Sequence, residues 1–142
     1  MRSKAPLALM EQLVMVLVFA LAAALCMQVF ALSDRISRQN ETMDRALLEA
    51  QNAAEILKND HGDYEKAARE WGGEWNGAMW GLSWDASWTP VAASAAPAYH
   101  MLVTPAEGGN ALLGAADVTI YTADGALLCT LPVGWQEVDG NG

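Results

Sequence analysis

The chain has 142 residues, a hydrophobic fraction of 53% and a formal net charge of −9, and from Glu70 to Gly142 it carries eight acids and no Lys or Arg. A surface of that sign repels phosphate backbones and anionic headgroups, so nucleic acid is excluded as a partner. Outside one long apolar stretch, roughly 110 residues remain, enough for one small domain.

The chain opens with MRSKAP (1–6), whose Arg2 and Lys4 form a short basic flank that favours the cytoplasmic side. Arg35, Arg38 and Arg45 follow the apolar stretch, so charge alone leaves the two flanks nearly balanced. The N-terminus is placed inside because the acidic remainder is then the exported part. From Leu13 to Leu32 the sequence reads LVMVLVFALAAALCMQVFAL, twenty residues in which Gln28 is the one strongly polar side chain. At about 1.5 Å rise per residue such a helix spans roughly 30 Å, the hydrocarbon thickness of a bilayer. Residues 7–32 are thus expected to form a transmembrane helix. Val29-Phe30-Ala31 resembles a signal-peptidase site. A signal peptide's apolar core, however, runs only about 7–15 residues.

The next segment, 33–59, turns polar while keeping apolar residues at Ile36, Met43, Leu47, Ala50, Ala54 and Leu57. That spacing predicts one face of an amphipathic helix, and no Pro or Gly interrupts the chain between Leu7 and Asp60. One helix is therefore expected from Leu7 to Asn59, ended by Asn59-Asp60-His61-Gly62 with Gly62 as the left-handed cap. Residues 60–142 are expected to form a small α+β domain. Asp63 reads as the N-cap of a short helix, Tyr64 to Trp71, whose apolar side is Tyr64, Ala67, Ala68 and Trp71, closed by Gly72-Gly73. Beyond Glu74, turn signals replace helical periodicity and predict an antiparallel sheet. Its expected strands are Met79 to Trp84, Trp88 to Ala92, Ala98 to Thr104, Ala116 to Thr122 and Ala126 to Leu131. Pro105 to Asn110 reads as a loop, Ala123-Asp124-Gly125 as a hairpin turn, and Ala116, Val118 and Ile120 as the inward row of their strand.

A basic leader, an apolar helix with an acid near its start, an amphipathic continuation and a C-terminal antiparallel sheet together resemble the type IV pilin and pseudopilin family. In sequence the resemblance rests on LALMEQLVMVLVFALAAAL, Leu7 to Leu25, which is similar to the family's N-terminal motif, with Glu11 at the position of its glutamate. The resemblance implies a candidate processing site between Pro6 and Leu7, although Pro6 stands where the family has glycine or alanine and Leu7 where it has phenylalanine. It further implies an assembly role for Glu11, which in the family meets the free amine of a neighbouring subunit. The implied partners are other pilin-like subunits, an inner-membrane platform protein and a prepilin peptidase. A pilus, type II secretion or competence-like machine is the implied setting. Independently of family, a carboxylate entering lipid costs up to about 2.5–3.5 kcal/mol and usually has a partner. An alternative place for Glu11 is the cytoplasmic interface near Arg2 and Lys4.

The remaining candidates are few. Trp80 and Trp84 fall on one side of a strand and, with Trp88, could form a binding face for a glycan or protein, or else the core of a thin sheet. The first option defines the alternative function, a membrane-anchored extracytoplasmic binding module. His61 and His100 have no metal-ligand spacing, and Ser83, Ser87 and Ser94 have no nucleophile context. Catalysis, metals and cofactors are not expected. Cys26 and Cys129 read as unpaired, small buried residues. Asp139-Gly140-Asn141-Gly142 offers too few oxygens for a calcium site.

Overall fold

The computed structural model describes residues 4–107 and 112–137. Arg2, the tip of the expected 105–110 loop and the Asp139–Gly142 tail lie outside the described residues. The fold is α+β. The long helix α1, Ala5–Asn59, has 55 residues, and its start two residues before the expected one places Pro6 in the first turn, where proline's missing N–H is harmless. Two compact units divide within it, Met1–Glu41 and Thr42–Gly142.

In the first unit, every described residue is exposed. In the second, α1 contributes a buried face made of Ala46, Glu49, Ala50, Ala53, Ala54 and Leu57. Of the stripe expected from the apolar spacing, Ala50, Ala54 and Leu57 are buried, whereas Ile36, Met43 and Leu47 are 48%, 50% and 42% exposed. The physical reason is volume. The sheet brings Trp80, Trp84, Met101 and Trp135 to the same core, so the helix presents mainly methyl groups, with Leu57 as its one large apolar side chain in the core, while Met43 and Leu47 turn outward. Glu49 is admitted to this face because Arg45 reaches its carboxylate at 2.9 Å.

The helix ends as its sequence dictates. Gly62 takes φ 82° and His61 φ 51°, with the Gly62 N–H donating to Leu57 O at 2.9 Å, a Schellman-type closure. Helix α2, Tyr64–Trp71, begins on Asp63, whose carboxylate accepts from Lys66 N at 2.9 Å, and ends at Gly72. Asp60 joins the two helices through Lys66 Nζ at 2.6 Å.

The sheet has six antiparallel strands: β1 (Glu74–Trp75), β2 (Trp80–Trp84), β3 (Pro90–Val91), β4 (Tyr99–Ala106), β5 (Leu113–Thr122) and β6 (Leu127–Gln136). Their order is β1-β2-β4-β5-β6, with β3 also paired to β2. The 88–92 strand narrows to β3, β1 was not foreseen, and Pro105 belongs to β4, pairing with Ala116. The last strand runs through Pro132 to Gln136, five residues beyond its expected end. Ala116, Val118 and Ile120 face the core, as their alternation requires.

Candidate functional site

Two regions carry the features from which a function can be argued, one in each unit. The first is the apolar part of α1. It is the one helix among the described residues long and apolar enough to cross a membrane, and none of its apolar window is buried. Leu7, Phe19 and Phe30 are among its exposed side chains. Glu11 is the single acidic residue before Asp34. At helical spacing its neighbours on the same side are Leu7, Ala8, Val14 and Met15, all apolar. Pro6 and Leu7 lie in the first turn and are exposed. Ala22, Ala23 and Ala24 supply a small-residue surface on which another helix can approach closely.

The second region is the sheet. Trp80 and Trp84 project from β2 into the core, at 0% and 2% exposure. The Trp80 ring lies edge-on to Trp71 at 5.9 Å, and its Nε1 donates to Gly72 O at 2.9 Å. Trp88, half-buried, stacks on Tyr99 at 4.1 Å and sits 5.6 Å from Trp84. It adopts φ 61°, unusual for a bulky residue. The Asp85 carboxylate holds this turn by accepting from Ser87 N at 2.8 Å and Thr89 N at 3.0 Å. Trp80 and Trp84 are thus packed in the core, and the half-buried Trp88 supports the turn.

The side of the sheet away from the core holds a different constellation. Across β2, β4 and β5 the register aligns Ser83 with His100 and His100 with Tyr121. Ser83 Oγ and His100 Nδ1 are 3.1 Å apart, and the imidazole stacks on Tyr121 with centroids 5.5 Å apart. These three side chains lie along an open groove of about 480 Å³ flanked by Gly73-Glu74 and Pro90-Val91, with mixed apolar and hydrogen-bonding walls. Sequence reasoning treated Ser83 and His100 separately, because only the strand register joins residues this far apart. Among the described residues no cluster of His, Cys, Asp and Glu could hold a metal.

Both cysteines are free: Cys26 is exposed in the apolar helix and Cys129 is half-buried in β6. Burial raises the Cys129 thiol pKa above its ordinary value, which keeps it a neutral packing group at neutral pH. No family model matches the chain, and no curated protein or solved structure is significantly similar to it.

Proposed function

We propose that this chain is a pilin-like subunit, structural or accessory, of a type IV pilus, type II secretion or competence-like machine, and that it does no chemistry itself. The observation that carries the reading is the single helix from Ala5 to Asn59, exposed and apolar in its first half and packed under an antiparallel sheet in its last four turns. A helix made for a soluble domain alone has no use for twenty lipid-compatible residues ahead of its buried face. Its surface suits a bilayer and the core of a helical filament equally, since both reward close packing of Leu, Val and Ala.

In this reading the N-terminus is cytoplasmic, the sheet domain extracytoplasmic, and the partners are other pilin-like subunits and an inner-membrane platform protein. Glu11 acts as the assembly residue. Cleavage by a prepilin peptidase between Pro6 and Leu7 would free an amine able to pair with a neighbour's Glu11. The test is the N-terminal sequence and intact mass of the protein recovered from native membranes. A start at Leu7 is the expected result; a start at Met1 makes the helix a permanent anchor and removes the amine that Glu11 needs. Incorporation of a Glu11→Ala chain into its complex should fall sharply, and unchanged incorporation refutes the assembly role.

The second reading, an anchored extracytoplasmic binding module, would place its ligand in the open groove at Ser83, His100 and Tyr121 rather than on the core tryptophans. Titrating the full chain in micelles with neutral saccharides while following the His100 ring signals separates the two. Saturable shifts lost in Tyr121→Ala would support the module.

A further inference from the structure

The sheet ends on β6, beyond which no strand pairs among the described residues. Just past β6, the Glu137 N–H donates to Leu112 O at 3.0 Å, and the pairs before it are Trp135 with Gly114, Val133 with Ala116 and Leu131 with Val118. Backbone direction alternates along an antiparallel strand. Leu131, Val133 and Trp135 therefore turn their N–H and C=O groups toward β5, while Thr130, Pro132, Gly134 and Gln136 turn theirs to the open side. Pro132 occupies the middle of that outward row, and it alone has no N–H to offer. Facing β5, a proline would break the ladder; facing outward, it costs the sheet nothing and removes a donor from any strand that adds there.

In every other respect β6 invites addition. It is ten residues long, carries no charged side chain, and begins at an exposed Leu127. The opposite edge is already blunted, since β1 and β3 have two residues each and so short an edge is a poor template.

We propose that Pro132 guards this edge against a second copy of the chain, preventing β6 from pairing with its own equivalent. The excluded occupant is a second copy because two such strands related by a two-fold axis would meet antiparallel, with uncharged rows on both strands and no like charges directly opposed between them. The proposal stands independently of whether the apolar helix assembles.

The test uses the full chain in detergent micelles. By amide exchange, Thr130, Gly134 and Gln136 should exchange at least about tenfold faster than Leu131, Val133 and Trp135. In sedimentation, Pro132→Thr should self-associate about tenfold more tightly than the unaltered chain. Adding Gly134→Pro should reverse the gain, because Gly134 also faces outward and a Cβ there meets nothing closer than Gly114 O at 3.8 Å. Protection of the outward amides in the unaltered chain overturns the proposal, as does a folded Pro132→Thr chain whose association is unchanged.

Discussion

Gly62 serves two purposes at one position. It supplies the left-handed residue that closes α1, with φ 82°, and it leaves room for the Trp135 ring, which a Cβ at this site would meet at 2.5 Å. Either demand alone could be met at modest cost; together they leave glycine as the residue that fits. Gly62→Ala should lower stability by about 2–4 kcal/mol, the sum of left-handed strain and overpacking, read from thermal unfolding of the full chain in micelles. Trp80 is the comparable case among large side chains. Trp80→Phe removes the donor to Gly72 O and part of the ring volume, and should cost about 2 kcal/mol in denaturant unfolding. A loss of ligand binding with no loss of stability would instead restore the tryptophan to a recognition role.

Among the elements, α2 was legible to the residue because its signals are local: Asp63 to cap it, Gly72 to end it, and four apolar side chains on one face between. The start of β6 was legible from the Asp124-Gly125 turn, but its continuation was hidden, since Pro132 and Gly134 read as breakers. Both are tolerated because they lie where the ladder makes no demand of them. Strand β1 is too short to carry a pattern. The buried face of α1 was read in part: Ala50, Ala54 and Leu57 lie on it as their spacing requires, but Met43 and Leu47 were placed there and Ala46 and Ala53 were not, because a helix lying under four large sheet residues is selected for smallness. Ala50→Leu should therefore destabilise the domain by about 1–3 kcal/mol, while Leu47→Ala should change stability by no more than about 0.5 kcal/mol. Equal effects in parallel melts would mean that the helix packs through its larger residues after all. The Ser83–His100 pairing was illegible for want of register, which no single strand encodes.

For the whole molecule, the acidic balance and the titrating groups set the pH range of the fold. Three groups bind their protons more tightly when folded: Cys129 and Tyr64 through desolvation, and Lys66 chiefly through its hydrogen bond to Asp60. A pKa raised by folding contributes stability that is complete below the unfolded value and is lost as pH rises through the folded one. Stability should therefore fall progressively above about pH 9, as thiol, phenol and ammonium are reached in turn. Asp124 behaves oppositely. Its pKa is lowered, first by the Thr122 hydroxyl, so its small contribution is present above the usual carboxylate range and is lost on acidification. Denaturant midpoints measured across pH should show a plateau with a shallow acid shoulder and an alkaline decline. An alkaline limb that stays flat would mean these groups are solvated in the folded chain.

The ring that closes over Gly62 belongs to Trp135 in β6, while the turn it covers ends the first helix. A ribosome or a translocation channel delivers Gly62 long before Trp135, and in the interval the core of α1, β2, β4 and β5 lacks the Val133 and Trp135 side chains that β6 adds to it. The domain is complete only once β6 has been delivered. Chains interrupted before β6 should therefore be more readily proteolysed than the full chain, and productive folding is tied to the arrival of that strand rather than to the formation of the helix.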